Sequence, residues 1–236
     1  MSLTYTCDDG VAVVTLDDGK VNAMSLSFFH DLTAALQRAE TDDAGALIIA
    51  GRPGAFSAGL NLKLLPTLAP DALKDTLVEF GHTMLRVFTC PVPTVAAITG
   101  HAIAGGSFLA LACDARVMAD GPFRLHINEV AIGLTVPTWA MTIAESVIDP
   151  HWRTEAILHA RPYTPAEAAA RHFVHEVCPP DAVLDRARAL AAPLTALNRK
   201  SYAVTKRRQR TVAVTWAESV LADEMVGLPI AAVRRP

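Results

Sequence analysis

Residues 92–113 read VPTVAAITGHAIAGGSFLALAC, a stretch that contains no aspartate, glutamate, lysine or arginine. Its β-branched first part predicts a buried strand that ends at Ile98, and its last part predicts a buried helix that begins at Gly105. A membrane-spanning helix needs about 20 uninterrupted apolar residues, and Pro93 and the three glycines of this stretch argue against one. The sequence therefore predicts a strand, a glycine-bearing turn and a helix, all inside a globular domain.

The same alternation of strand and helix patterns continues on both sides of this stretch. The elements it predicts are strands at 11–16, 46–50 and 115–119, a helix that begins at Ser25 or Ser27, and an amphipathic helix at 70–88. Strands that alternate with helices indicate an α/β architecture. After about residue 150 the strand patterns stop, and prolines separate short alanine-rich helical segments. We therefore predict an α/β core over residues 1–163 and a helical region over residues 164–236.

Composition narrows the class of protein. The chain has 236 residues, of which 51% are hydrophobic and 19% are charged, so it is not disordered. A formal charge of −3 argues against a nucleic-acid-binding protein, which usually carries a basic excess. Four widely spaced cysteines favour free thiols in a reducing compartment over a disulfide framework or a metal site. Because the first ten residues lack the pattern of a secretory signal, we expect a cytoplasmic protein.

Two glycine-bearing turns follow predicted strands and are candidates for a binding site. They lie at residues 56–63 (FSAGLNLK) and 100–107 (GHAIAGGS). A turn that opens a helix presents unpaired backbone N–H groups at the positive end of the helix dipole. Two such turns would place two N–H groups around one carbonyl oxygen, which is an oxyanion hole made of main chain. The competing interpretation is ordinary packing between strand and helix, which the glycines alone favour over a binding site.

Five motifs in order resemble the crotonase superfamily, the enoyl-CoA hydratase/isomerase family. They are GKVNAM, FSAG, GHAIAGG, CDAR and NEVAIG, which begin at Gly19, Phe56, Gly100, Cys113 and Asn128. The resemblance implies an α/β fold, a crotonase-type spiral of repeated ββα units with a C-terminal helical trimerisation region. It also implies a homotrimer, or a hexamer formed by two trimers. The substrate it implies is an acyl-CoA thioester, with no metal and no cofactor beyond the CoA of the substrate.

Carried over residue by residue, the resemblance assigns backbone roles to several positions. The two oxyanion-hole amides fall on Leu60 and Gly105, where they would stabilise a thioester enolate. Ala23 and Ala58 fall where the family's backbone contacts CoA. Asn61 stands where relatives often have aspartate, which is a mild departure from the family pattern.

The acid–base residues decide which reaction is expected. A hydratase of this family holds one water between two glutamates; the second falls on Glu129, but the first falls on Phe108, which accepts no proton. One carboxylate suffices to move a proton between two carbons, so we expect double-bond isomerisation. The alternatives are hydration by Glu129 alone and a non-catalytic acyl-CoA-binding protein. An acid at Asp75 or Glu79 is a candidate replacement for the missing glutamate.

The neighbours of Glu129 bear on its chemistry. Apolar groups, among them Phe108 and Trp139, are expected to raise the pKa of Glu129 by desolvation. Trp139 is assigned to packing, to a subunit contact or to the lining of an acyl pocket. The competing interpretation of Glu129 is a helix cap or a surface salt bridge.

Three other features are weaker candidates. Ser107 lies in a sequence that half resembles a nucleophile elbow, but the closing glycine is missing. His172 and His175 have metal-ligand spacing, yet no motif accompanies them, so solvated histidines are expected. The basic run 206–210 (KRRQR) is typical of a solvated helix face, and its functional alternative is contact with the phosphates of CoA.

Overall fold

The computed structural model describes residues 2–226, in which strands and helices alternate up to about residue 150. The strands are β1 (Ser2–Asp8), β2 (Val11–Asp17), β3 (Ala23–Met24), β4 (Ala46–Ala50), β5 (Gly54–Ser57), β6 (Gly59–Leu60), β7 (Thr94–Ile98), β8 (Gly100–Ile103), β9 (Ala115–Ala119), β10 (Leu125–His126) and β11 (Glu176–Cys178). The helices are α1 (Leu26–Thr41), α2 (Pro70–Thr89), α3 (Gly105–Ala112), α4 (Thr138–Val147), α5 (Pro150–Arg153), α6 (Pro165–Ala170), α7 (Val183–Ala191) and α8 (Arg199–Val226). No helix within residues 2–226 is long and apolar enough to cross a membrane.

Four successive ββα units form a spiral, as the resemblance implied. Each unit begins with a strand of the main sheet, continues through one or two short strands outside that sheet and ends in a helix: β2–β3–α1, β4–β5–β6–α2, β7–β8–α3 and β9–β10–α4. The main sheet has the order β1-β2-β4-β7-β9-β11, and the small sheets have the orders β10-β8-β5 and β3-β6. Every pairing except β1–β2 is parallel. The spiral stacks the ends of these short strands beside one another.

Both faces of the main sheet are buried, which is why its strands read as continuous apolar runs. In β4, Leu47 and Ile49 face the larger core on the side of α1 to α4, whereas Ile48 and the flanking alanines face α7. On α7 the buried residues Val183, Ala187 and Ala191 recur every four positions, the spacing of one helical stripe. A helix of the C-terminal region thus covers the second face of the sheet.

The expectation that strands stop near residue 150 is wrong. β11 pairs in parallel with β9 and forms an edge of the main sheet. It has only three residues, too few to produce a recognisable alternation of apolar and polar positions. The division at residue 163 remains a prediction, as does the trimerisation role of residues 164–236. The last ten residues of that region, 227–236, lie outside the described residues.

The basic run 206–210 is not a fully solvated helix face. Lys206 is 4% exposed, and its Nζ lies 2.7 Å from Oδ2 of Asp114. Arg210 donates to Oδ1 of the same carboxylate at 3.0 Å, and the hydroxyl of Tyr202 donates to Oδ2 at 2.7 Å. Two of the basic residues therefore tie α8 to the start of β9, which leaves the exposed Arg207 and Arg208 for any contact with a phosphate.

Asp114 is the anchor of this cluster. Its Oδ2 also accepts from the backbone N–H and the hydroxyl of Thr94, at 2.8 and 2.9 Å. Burial raises the pKa of the Asp114 carboxyl, but Lys206 and Arg210 outweigh burial and leave the pKa below its ordinary value. The ionised carboxylate thus joins β7, β9 and α8.

Replacement of Asp114 by alanine is expected to lower the free energy of unfolding by about 3–5 kcal/mol, because the buried ammonium of Lys206 loses its counter-charge. Urea denaturation followed by circular dichroism measures the change. The control is Asp223→Ala, which removes an exposed carboxylate of α8, the helix that carries Lys206. It is expected to change the free energy of unfolding by less than about 0.5 kcal/mol. Equal, small effects of the two substitutions would contradict the anchor role.

Candidate active site

A cavity of about 70 Å³ lies between the short strands outside the main sheet and the helices α2, α3, α4 and α8. It is lined by Ala58, Leu60, Leu62, Phe80, Ala104, Gly105, Phe108, Asn128, Glu129, Ile132, Leu134, Thr135, Pro137, Trp139 and Met225. Most of these side chains are apolar. Among residues 2–226, Glu129 is the one ionisable side chain that lines the cavity. The cavity therefore offers a single group that can take up or release a proton.

Most of the residues predicted for the site border this cavity. Those that line it are Ala58, Leu60, Gly105, Phe108, Glu129 and Trp139. Ala23 and Asn61 are not among the residues that line it. Ala23 pairs with Gly59 in the β3–β6 ladder, and Oδ1 of Asn61 accepts from the backbone N–H groups of Lys63 and Leu64. The side chain of Asn61 thus shapes the turn that follows Leu60.

The first glycine turn is held by a buried hydrogen-bond network. Nδ2 of the fully buried Asn22 donates to three backbone carbonyls of β2 and β5 at 2.8–3.1 Å. The hydroxyl of Ser57 donates to the carbonyl of Asn22 at 2.7 Å and accepts from the N–H of Gly59 at 3.1 Å. This network fixes the backbone immediately before Leu60.

The second turn contains a strained residue. Ala104 has φ 50° and ψ −123°, a conformation that glycine adopts readily and alanine rarely. Strain of this kind costs on the order of 1–3 kcal/mol and clusters at functional sites. Ala104 caps α3, so Gly105 is the first helical residue and its N–H has no acceptor within the helix. The strain therefore aims an available N–H at the start of α3.

The two turns meet backbone to backbone. A β-carbon added at Gly59 would lie 2.7 Å from the nitrogen of Gly105, and one added at Gly105 would lie 3.2 Å from Cα of Gly59. Gly59 also has φ +77°, which a side chain would strain. Only glycine permits this approach, which brings the backbones of Leu60 and Gly105 to one wall of the cavity.

Glu129 is 8% exposed, and its Oε2 has no hydrogen-bond partner among the described residues. It makes no side-chain cap to the short 3-10 helix Val130–Ile132 and no ion pair within residues 2–226. The interpretation as a cap or surface salt bridge is therefore wrong. Burial raises the pKa of the Glu129 carboxyl to about 7, against the weaker opposing effect of the backbone N–H groups of Asn128 and Glu129. The expected desolvation is confirmed.

Two further polar atoms in the cavity walls lack partners within the described part of the chain. They are Oδ1 of Asn128 and Nε1 of Trp139, both buried. Buried polar groups in native proteins are nearly always hydrogen-bonded, so each exception needs an explanation. Three unpartnered polar atoms around one cavity are what a site for a polar ligand group would show.

The missing glutamate is not replaced by the candidate acids. Phe108 is 1% exposed and packs edge to face on Trp139, with ring centroids 5.6 Å apart. Glu79 forms an ion pair of 2.7 Å with Arg86, and neither Glu79 nor Asp75 lines the cavity. The cavity therefore has the aromatic ring of Phe108 at the position where a hydratase of the family has its first glutamate.

Ser107, the candidate nucleophile, forms hydrogen bonds with the backbone. The fully buried hydroxyl of Ser107 donates to the carbonyl of Ala102 at 2.7 Å and accepts from the backbone N–H of His126 at 3.1 Å. The His126 ring bonds the carbonyl of Ala160 at 2.8 Å instead of the serine. Ser107 thus supports the backbone near α3 and is not arranged for nucleophilic attack.

The histidines 172 and 175 are both solvent-exposed, as expected. Nδ1 of His175 also accepts from the backbone N–H of Arg116 at 3.2 Å, so this ring contacts β9 while it remains accessible to solvent. Among the described residues, no group of three or more His, Cys, Asp or Glu side chains is close enough to hold a metal ion.

Sequence reasoning missed several residues that line the cavity. They include Phe80, for which the pattern of the segment 70–88 predicts only an amphipathic helix, and Met225, which lies on α8 and belongs to no motif. Leu62, Thr135 and Pro137 were likewise not identified. The helical spacing of the segment 70–88 indicated that Phe80 is buried, but not which neighbours it meets.

Comparison with known proteins assigns the class. The sequence model of the Enoyl-CoA hydratase/isomerase family matches residues 6–226. The chain is 33% identical over 204 residues to the mitochondrial enoyl-CoA delta isomerase 1 of Mus musculus, which covers 85% of this chain and 71% of that protein. It is 36% identical over 189 residues to a putative enoyl-CoA hydratase of Thermus thermophilus, with 77% and 73% covered.

Solved structures agree with the sequence relatives. The apo structure of an enoyl-CoA isomerase of Mycobacterium tuberculosis superimposes with a TM-score of 0.87 at 36% identity, over 94% of this chain and 96% of that one. The chain therefore belongs to the enoyl-CoA hydratase/isomerase family, and the predicted crotonase-type fold is confirmed. It is an enzyme of that family.

Replacement of Gly59 by alanine tests the close approach of the two turns. The added β-carbon meets the nitrogen of Gly105 at 2.7 Å, so we expect loss of most acyl-CoA binding, measured by calorimetry. The control is Gly54→Ala, where φ is +84° and nothing lies within 4 Å of the added atom. It carries the same backbone strain without the clash and is expected to keep binding. Equal loss in both variants would contradict the account.

Replacement of Glu129 by glutamine is expected to stabilise the protein above pH 7. The folded-state pKa of about 7 exceeds the ordinary 4.5, so the folded protein holds a proton that the unfolded chain has released. The contribution of Glu129 to the free energy of unfolding therefore falls between pH 4.5 and 7, by about 3 kcal/mol in total. Thermal unfolding of both proteins across this range measures the gap. A gap that does not grow with pH would contradict the raised pKa.

Proposed function

We propose that the protein converts 3-enoyl-CoA thioesters to 2-enoyl-CoA thioesters, with Glu129 as its single acid–base group. One observation carries the proposal: Glu129 is the one ionisable side chain among residues 2–226 that lines the cavity. Moving a proton from one carbon to another needs one base that later acts as the acid. Holding and activating a water between two carboxylates needs a group that Phe108 does not supply.

The reaction consists of two proton transfers. The carboxylate of Glu129 removes a proton from C2 of the substrate, and the electrons of the C2–H bond form an enolate with the thioester carbonyl. The enolate collapses as Glu129 returns the proton to C4, so the double bond moves from C3–C4 to C2–C3. Nothing is oxidised, no group leaves, and the enzyme ends as it began.

The enolate oxygen would be held by the backbone N–H groups of Leu60 and Gly105. Such donors bind an oxyanion more strongly than a neutral carbonyl, so they favour the transition state over the bound substrate. Each is typically worth about 3 kcal/mol. The contact between the turns at Gly59 and Gly105 supports this role, since it sets the two backbones at one wall.

The raised pKa of Glu129 suits this chemistry. A pKa of about 7 gives a carboxylate that is basic enough to attack C2 and acidic enough to reprotonate C4 near neutral pH. The apolar walls at Ile132, Leu134 and Trp139 limit the water available for addition to the double bond. Desolvation thus favours proton transfer over hydration.

The proposal also covers the binding of the CoA part of the substrate and the oligomeric state of the protein. The backbone around Ala23 and Ala58 would contact CoA, which is part of the substrate, and no further cofactor is required. We also propose a cytoplasmic homotrimer, or a hexamer of two trimers. Exposed apolar residues one turn apart on α8, Val212 at 84% and Trp216 at 62%, support a subunit contact there.

Hydration by Glu129 alone is the second candidate, because one of the similar proteins is named a putative enoyl-CoA hydratase. The relatives named enoyl-CoA delta isomerase favour the first. A non-catalytic acyl-CoA-binding protein is the third. All three candidates keep the same cavity and differ only in what happens at C2 to C4.

Ultraviolet absorbance separates the candidates. Isomerisation of a 3-enoyl-CoA creates the absorbance of the conjugated thioester, and hydration of a 2-enoyl-CoA removes it. We expect the first and not the second, with kcat/KM rising as the pH increases through about 7 because the base must be ionised. Glu129→Gln is expected to lower the rate about 100- to 10,000-fold. Glu79→Gln, which changes a carboxylate outside the cavity, is the control and is expected to keep activity.

Each other outcome selects another candidate. Loss of the 2-enoyl absorbance would mean that hydration proceeds with Phe108 in place. Activity that survives Glu129→Gln but not Glu79→Gln would move the acid–base role to α2. Saturable acyl-CoA binding without turnover of either substrate would leave a binding protein.

A further inference from the structure

The last turns of α8 form part of the cavity wall. Met225 is 2% exposed and lines the cavity, although it lies 96 residues beyond Glu129 in the sequence. Leu221, one turn earlier, is 1% exposed. α8 packs against α2 and α4, which carry the aromatic walls at Phe80 and Trp139. The C-terminal helix is therefore a component of the site and not only a cover for the core.

A carboxylate on α8 holds this end in place. Glu224 accepts from the backbone N–H of Thr138 at 2.8 Å and, through its other oxygen, from the Thr138 hydroxyl. Thr138 is the first residue of α4, whose own N-cap, Pro137, supplies no side-chain acceptor. A carboxylate is favoured at a helix N-terminus by both charge and hydrogen bonding. Glu224 thus caps α4 from a distant helix, and we call this contact the Glu224–Thr138 latch.

The three helices meet without spare room. A β-carbon added at Gly81 of α2 would lie 2.6 Å from Cδ1 of Leu221 and 3.0 Å from Cδ1 of Trp139. The Trp139 ring in turn contacts Phe80 and Phe108, with ring centroids 4.7 and 5.6 Å apart. A shift of α8 therefore changes the aromatic wall as well as the position of Met225.

We propose that Met225, held by the Glu224–Thr138 latch, sets the length of the acyl chain that the cavity accepts and restricts it to short chains. The inference rests on the proposed function, since it places the acyl group in this cavity. The cavity has a volume of only about 70 Å³, and the three aromatic rings in its walls, Phe80, Phe108 and Trp139, interlock. Met225 is an unbranched, flexible side chain, and within residues 2–226 it follows directly on Glu224, whose two hydrogen bonds to Thr138 hold this part of α8. A change at Met225 or Glu224 therefore alters the space in the cavity more readily than a change in the interlocked rings.

Two substitutions act on this wall by different routes. Met225→Ala removes the side chain and enlarges the cavity directly. Glu224→Ala leaves Met225 intact but releases the helix end that carries it. Glu224→Gln keeps an oxygen acceptor for one of the two donors of Thr138 and is expected to fall between wild type and Glu224→Ala. A shared direction of change in all three variants is what the latch requires.

The test measures kcat and KM separately for a series of straight-chain 3-enoyl-CoA substrates of increasing length, together with calorimetric binding of the matching saturated acyl-CoAs. We expect wild type to prefer the shortest chains. One methylene in an apolar pocket discriminates by about 10- to 200-fold, so Met225→Ala is expected to raise the long-to-short ratio of kcat/KM by at least about tenfold. Glu224→Ala is expected to move the ratio the same way, mainly through a lower KM for long chains.

Matched controls separate this role from general loosening of the fold. Met141→Ala makes the same chemical change at a half-buried methionine of α4 that does not line the cavity, and Glu218→Gln changes an exposed carboxylate of α8. Both are expected to keep the wild-type ratio. A ratio that is unchanged in Met225→Ala and Glu224→Ala, or changed equally in Met141→Ala, would overturn the inference.

The failure of this inference differs from failure of the proposed function. Normal turnover of 3-enoyl-CoA with a chain-length profile that ignores Met225 and Glu224 overturns only the inference. Absence of turnover with every chain length overturns the proposed function, and calorimetric binding then still tests the latch. In that case affinity for long acyl-CoAs should rise in Met225→Ala relative to short ones, and equal affinities would overturn the latch as well.

Discussion

The contact between the backbones of Gly59 and Gly105 is the constraint on which the rest of the site depends. Neither position tolerates a β-carbon without a clash. Gly59 is the first residue of β6 in the second ββα unit, and Gly105 is the first residue of α3 in the third. The Asn22–Ser57 network holds one side of the contact, and the strained Ala104 holds the other. The repeated order of main-sheet strand, short strand and helix therefore places the turns of two different units, at Leu60 and Gly105, next to each other.

Glu129 imposes a second constraint, which lowers the stability of the folded state. A buried carboxyl with an unpartnered oxygen weakens the folded state, whereas a proton-transfer group near neutral pH requires that desolvation. Other parts of the protein stabilise the folded state. They are the main sheet, which is buried on both faces, and the Asp114 cluster, which joins α8 to that sheet. The same helix ends at the cavity, so one element anchors the fold at its start and closes the site at its end.

The sequence predicted the features that depend on local pattern. The strand at 46–50 and the helix at 70–88 appear where periodicity indicated, and the family motifs predicted the fold. The two glycine-bearing segments were predicted as turns, but they contain the short strands β5, β6 and β8. What failed depends on partners far along the chain. Lys206 looks like part of a solvated run because its partner, Asp114, is 92 residues away. β11 is too short to show a period, and Met225 reaches the cavity only through helix packing that no motif encodes.

The central claim is that one carboxyl moves the proton from C2 to C4 in a site that excludes water. The most direct measurement follows deuterium in a substrate labelled at C2 on the face that Glu129 attacks, with the product analysed by nuclear magnetic resonance. The account predicts that part of the label appears at C4 of the product, on the same face. Product in which hydrogen at C4 comes wholly from solvent and enters on the opposite face would require a second acid and would contradict the account.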